Sequence, residues 1–220
     1  MFKKIKVLIC GVAIVLAGYA TAQATPGVWG ITGGTDYNDG ANDVLGWSFT
    51  PKQEMYITGL GVYAETDFTS GLRGFTQDHQ VGLYNENRSL LASTTVTNAD
   101  NLNGMFRFHN LDTAIALSAG ATYYLAAAMG ADQFIFDPTQ FLVNSQVTFG
   151  KFAYSVSDSL VFPGTPDPGV LGYFGPNFEA TAAVPEPSTL LLVGAGLGSV
   201  VLLRRRARSV ESTLDKEILR

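Results

Sequence analysis

The chain has 220 residues and a formal net charge of -5, but nine of its fourteen Lys and Arg lie outside residues 25 to 186. Within that stretch five basic residues (Lys52, Arg73, Arg88, Arg107, Lys151) face sixteen acidic ones, and there is no basic stripe with interleaved aromatics, which excludes nucleic acid as a partner. With both ends set aside as targeting segments, roughly 160 residues remain, one domain able to bury about two-thirds of its unfolded surface without help from a metal or disulfide.

Met1 to Lys6 carries Lys3, Lys4 and Lys6 and leads into the apolar run Val7 to Gly18, then Ala20-Thr21-Ala22-Gln23-Ala24. This is the charged, apolar and A-x-A order of a secretory signal over residues 1–24, to be cut by signal peptidase after Ala22 or Ala24. The run is too short for a stable membrane-spanning anchor. The lone cysteine, Cys10, lies inside it after Ile9, where lipid modification would need a small residue, so it leaves with the signal. An exported chain without cysteine fits a Gram-negative envelope or the exterior.

Next comes Gly33 to Asp43, in which Asp36, Asn38, Asp39, Asn42 and Asp43 crowd among glycines. Calcium takes six to eight oxygen ligands, and glycine lets a loop curl tightly enough to supply them, so these five are calcium candidates; no other cofactor is expected. Gly40 breaks the EF-hand pattern, and a polar loop that selects the same residues for its turns is the favoured alternative.

The body shows no long 3.6-residue period. Short runs of Val, Ile, Phe, Tyr and Thr are punctuated by Gly, Asn, Asp and Pro, which predicts antiparallel strands over 44–50, 56–64, 80–84, 90–97, 105–109, 122–128, 146–155 and 178–182. Asn85-Glu86-Asn87-Arg88, Asn103-Gly104 and Ser118-Ala119-Gly120 supply turns. Strand spacing of about ten residues points to an all-β, jelly-roll-like antiparallel β-sandwich over 25–183, flanked by the signal helix and a C-terminal hydrophobic helix, with a barrel or small β-helix as the alternatives, though no internal repeat supports a solenoid. The Pro- and Gly-rich stretch Phe162 to Gly169 reads as a long irregular surface loop.

No G-x-S-x-G nucleophile elbow occurs, and His79 and His109 lack zinc-site spacing and read as satisfied or surface histidines. Glu54, Glu65, Asp67 and Asp78 lie near strand ends, but nothing singles out an acid and base pair, so no catalytic residue is assigned and no enzyme is expected. Trp29, Trp47, Tyr37, Phe68 and Phe75 are the aromatics by type suited to sugar stacking, with Trp47 expected in the core and core or loop packing the favoured reading of each.

At the far end Val184-Pro185-Glu186-Pro187-Ser188-Thr189 enters Leu190 to Leu203, followed by Arg204, Arg205, Arg206 and Arg208. The prolines hold an extended segment open to a protease, the short glycine-bearing apolar stretch suits a transient span, and the arginines stay cytoplasmic. The trio over 184–208 resembles the PEP-CTERM sorting signal, which implies cleavage near Pro185-Glu186-Pro187 by a membrane-embedded exosortase. Residues 209–220 extend beyond it as a cytoplasmic tail. Leu45 to Thr50, Ile57 to Val62, His79 to Tyr84, Leu90 to Val96, Phe106 to Phe108 and Leu117 to Tyr123 resemble a domain family of unknown function found in such secreted sandwich proteins, which implies architecture and not activity.

The reading is a non-enzymatic surface or matrix protein, exported across the inner membrane, transiently anchored and then held in exopolysaccharide or biofilm. A secreted glycan-active hydrolase and a permanent single-pass anchor are the alternatives. Intact mass of the protein recovered outside the cell is expected to run from about residue 23 or 25 to a point near Pro185; retention of Leu190 to Arg220 would replace sorting by permanent anchoring.

Overall fold

A computed structural model describes residues 23–38, 40–66, 71–183 and Gly196. Asp39, Phe68, Ala22 with the signal segment before it, Pro185-Glu186-Pro187 and Arg204, Arg205 and Arg206 lie outside the described residues, as do the two expected flanking helices apart from Gly196. The chain divides into two compact units, Ala22–Ala183 and Met1–Thr21 with Val184–Arg220, and every described strand belongs to the first.

In chain order the strands are β1 (Thr25–Pro26), β2 (Val28–Thr32), β3 (Thr35–Tyr37), β4 (Asp43–Pro51), β5 (Met55–Tyr63), β6 (Glu65–Thr66), β7 (Arg73–Gly74), β8 (His79–Asn85) and β9 (Leu90–Val96). There follow β10 (Asn101–Asn103), β11 (Phe106–Leu117), β12 (Tyr123–Ala128), β13 (Phe134–Phe136), β14 (Gln140–Val143), β15 (Val147–Val156), β16 (Thr165–Pro166), β17 (Tyr173–Phe174) and β18 (Pro176–Ala182). All eight expected runs are strands, and β11 continues past His109 to Leu117. The other strands are mostly too short for a period of two to register, so pairing rather than pattern creates them. Thr165–Pro166, inside the stretch expected to be irregular, pairs with Ala153 and Tyr154.

Every pairing is antiparallel among the described residues. A five-stranded sheet in the order β1-β18-β5-β11-β10 and a six-stranded sheet in the order β16-β15-β4-β12-β8-β9 form a β-sandwich, with β17-β13-β3, β14-β2 and β6-β7 as smaller additions. Alternation along β4 puts Leu45, Trp47 and Phe49 on one face, opposite Ala127, Leu125 and Tyr123 of β12. The Phe178 ring of β18 stacks on Trp47 at 5.7 Å and on Phe49 at 4.7 Å, tying the sheets together. The Trp47 indole Nε1 donates to the Pro176 carbonyl at 2.8 Å, so its one polar group is satisfied in the core.

The other face of β4 and β12 is covered too. Val44, Tyr84 and Ala126 form a second apolar cluster beneath Leu160, Val161 and Phe162, so the stretch after β15 roofs the sheet. Gly46 is obligatory there: a Cβ would overlap the Leu125 carbonyl oxygen and the Pro163 ring. Between β8 and β9 the Asn85 side chain accepts from the amides of Asn87 and Ser89, which holds Arg88 at a φ of 63° and explains the Asn-rich turn.

Two irregularities in the five-stranded sheet shape its surface. Thr58 is skipped in the pairing with β18, where Glu179 and Ala180 face Gly59 and Ile57, so Ile57 and Leu60 both stay buried. In β11, Leu111 to Ala114 stand opposite that same Thr58, four residues against one, and arch away from β5. Phe178→Ala is expected to lower stability by about 3–5 kcal/mol, and Gly46→Ala by about 1–3 kcal/mol through overpacking. Chemical denaturation measures both, and a Phe178→Ala loss below about 1 kcal/mol would show that this ring does not hold the sheets together.

Candidate functional site

The calcium candidates are placed on diverging partners. Asp36, in β3, accepts a hydrogen bond from the Tyr63 hydroxyl at 2.7 Å. Asn38 spends its amide nitrogen on the carbonyls of Gly130 and Asp132, at 3.0 and 2.9 Å, and its oxygen accepts from the Gly40 amide. Asn42 donates to the Asp158 carboxylate, and Asp43 begins β4. Among the described residues no group of three or more His, Cys, Asp or Glu could hold a metal ion. The segment stitches the end of the sandwich: burial and the hydrogen bond to Asp36, outweighing the lowering effect of nearby Arg73, push the Tyr63 phenol up to about 12.

The two histidines differ. His79 is fully buried, with Nδ1 2.8 Å from the Ala128 carbonyl and Nε2 2.9 Å from Asp132 Oδ2, while Phe75 packs edge-on against its ring. Asp132 also accepts from the amides of Thr76 and Gln77. Burial opposes the Asp132 charge, but His79 and Thr76 outweigh it and hold the carboxyl below the usual carboxylate range. The His79 ring is thus held at both nitrogens by fixed partners, a structural task.

His109 is 44% exposed and turns Nδ1 to Asp100 Oδ1 at 2.8 Å. Asp100 is held by the Thr97 amide at 2.7 Å and hydroxyl at 3.2 Å. Burial works against its charge, yet Thr97 and His109 prevail and keep the carboxyl low. His109 stands at an open cleft of about 240 Å³ between β9 and the arch of β11. Glu54, Glu65 and Asp78 stay at strand margins, and Asp67 lies outside the described residues.

Of the stacking candidates, Trp47 is fully buried and Phe75 nearly so, which leaves Trp29, 60% exposed on β2, and Tyr37, 41% exposed on β3. The register of β17-β13-β3 puts Tyr37, Phe134, Phe136 and Tyr173 on one face of the small sheet and Ile135 and Phe174 on the core side. Tyr37 packs on Phe136 at 5.1 Å and Phe134 at 5.8 Å, Tyr173 on Phe136 at 5.5 Å, and Tyr154 lies 6.3 Å from Tyr173. The result is a partly exposed row of rings, with the Tyr173 hydroxyl anchored on Asp167. Burial and that carboxylate push the Tyr173 phenol far up, so it remains a neutral donor. Sequence reasoning named Tyr37 but missed Phe136, Tyr173 and Tyr154; a Gly172-Tyr173-Phe174-Gly175 run was the one available signal.

A family described as "Domain of unknown function (DUF4082)" matches residues 31–174. The chain belongs to this family. Its DUF4082 body is followed by a match to the PEP-CTERM protein-sorting motif over residues 183–206, which makes it an exosortase substrate exported across the inner membrane toward the cell surface. No curated protein matches the chain. Among solved structures, the "Crystal structure of infectious bursal disease virus VP2 subviral particle" is similar at 13% identity and a TM-score of 0.26, covering 84% of this chain and 49% of that one. The chain thus spans about half the length of that structure, and a likeness this slight carries no argument.

Asp132 contributes to the acid-side stability of the DUF4082 body. Because the folded Asp132 carboxyl sits low, its contribution is complete above the ordinary carboxylate range and is lost as pH falls through the folded value. Asp132→Ala, which removes the buried partner of His79 and of the Thr76 and Gln77 amides, is expected to cost about 1–3 kcal/mol at neutral pH. Thermal melts across pH should also show a shallower acid-side decline in this variant than in the parent.

Proposed function

We propose that the exported body acts by binding and not by turnover, and that its aromatic face holds the protein in neutral extracellular polysaccharide of a biofilm after a transient stay in the membrane. The observation that supports this is the row Tyr37, Phe136 and Tyr173 on a small sheet braced by the core, continued by Tyr154 of β15. Aromatic rings suit the apolar faces of sugars, and phenol or carboxylate groups at their margin take the hydroxyls. The charge pattern favours a neutral polymer. Of the five basic residues, Arg73 and Arg107 donate to backbone carbonyls, Lys52 donates to the Ser145 carbonyl, and Arg88 lies over the Phe162 ring. The acidic remainder repels polyanions at long range.

Cosedimentation of the exported protein with purified polysaccharide from its producer tests the reading. Tyr37→Ala is expected to weaken retention roughly tenfold, the loss of one stacking contact of about 1.4 kcal/mol. Unchanged retention in a Tyr37→Ala/Tyr173→Ala double variant would remove the face from the account. Release of reducing ends that stops on replacing a single carboxylate would favour the glycan-active hydrolase instead.

A further inference from the structure

The cleft between β9 and β11 is a different place, and its chemistry points to a different scale of ligand. It lies where the edge of the six-stranded sheet meets the arch of the five-stranded one. Thr94 enters it from β9, opposite buried Val81 in the register, and His109, Asn110, Asp112 and Thr113 enter it from β11. The arch is what brings them there: four residues against one in the ladder lift Asp112 and Thr113 out of the pairing with β5 and toward β9.

The imidazole at this cleft is oriented. Ionised Asp100 accepts from Nδ1, so in the neutral ring the proton resides on Nδ1 and the lone pair on Nε2. Asp100 is itself fixed by two donors of Thr97, and the Arg107 guanidinium, bonded to the Asp100 and Arg73 carbonyls, pins the same turn. The imidazole is thus held through Asp100, whereas Nε2 has no protein partner among the described residues. Around it stand an acceptor carboxylate, an amide that both donates and accepts, and two threonine hydroxyls, with Leu111 as the apolar contribution.

We propose that this cleft binds a single sugar ring, with His109 Nε2 and the Asp112 carboxylate accepting hydrogen bonds from ring hydroxyls, Asn110 serving as both donor and acceptor, and Asp100 acting as the positioning residue. The volume, about 240 Å³, falls just below the roughly 300–1,000 Å³ of sites for drug-sized ligands, a size that accommodates one ring. The mixed acceptor and donor lining matches a polyol, whose hydroxyls each give and take a hydrogen bond. The same lining has no fixed cation to recognise an anion. The inference is independent of the aromatic face, since that face and this cleft share no residue.

The test is a nuclear magnetic resonance titration of isotope-labelled exported protein with glucose, galactose, mannose and N-acetylglucosamine. At least one sugar is expected to move the amides of Thr94 and of residues 109–113 together and saturably, along with the His109 Nε2 resonance. His109→Phe should weaken that binding roughly tenfold, the worth of one hydrogen bond to the ligand, with an unchanged melting temperature. Asp100→Ala should weaken it while redistributing the proton between the two ring nitrogens, a nitrogen-shift signature that a merely structural role for Asp100 would leave still. Should His109→Phe fail to fold, Thr94→Val reads the same loss. If no sugar moves these resonances, or if shifts gather only at Tyr37 and Tyr173, the cleft is not a sugar site; the second outcome leaves the aromatic face standing.

Discussion

The contact on which the rest of the sandwich depends is Phe178 set against Trp47 and Phe49. Two antiparallel sheets have no covalent link beyond their connecting loops, and the expected exported chain has no disulfide, so apolar burial between the sheets carries the fold. Large rings do this effectively because each buries much area with few rotatable bonds. The Trp47 donation to the Pro176 carbonyl fixes the rotamer and lets a polar nitrogen sit in the driest part of the core.

That rigid centre permits irregularity at the margins. Both departures in the five-stranded sheet occur at Thr58: its own bulge keeps Ile57 and Leu60 buried, and the arch of β11 opposite it builds the His109 cleft. At the other end, the row of rings on the small sheet stays in place because its reverse face, Ile135 and Phe174, is part of the core. Sites raised on strands that share the core inherit its rigidity.

Charge is distributed by the same logic. Two of the three arginines of the body are half-buried, Arg73 on the Ala64 carbonyl and Arg107 on the carbonyls of Asp100 and Arg73, closing gaps between strands. Among the described residues the buried carboxylates are satisfied, Asp132 by histidine and backbone amides and Glu179 by the Asn103 side chain. With five basic residues against sixteen acidic ones, the body keeps an acidic excess that discourages polyanions and aggregation alike.

Much of this was legible in the residues themselves. Long runs such as 44–50 and 56–64 declare strands because alternation and β-branched content act within one segment, and the sorting motif declares itself because proteases and membranes read local chain chemistry. Trp47 in its apolar run was readable as core for the same reason. What the residues in isolation did not disclose depends on partners distant in the chain. Asp36 and Asn38 look alike as loop oxygens, yet one meets Tyr63 and the other the 130–132 turn. His79 and His109 are equivalent in composition, yet burial beside Asp132 makes one structural while Asp100 leaves the other facing a cleft. Strands of two or three residues, and with them the alignment of Tyr37, Phe136 and Tyr173, exist because distant backbones offer hydrogen bonds. A local pattern can state which side chains are available; only the closed sandwich, by pairing residues a hundred positions apart, decides which of them meet.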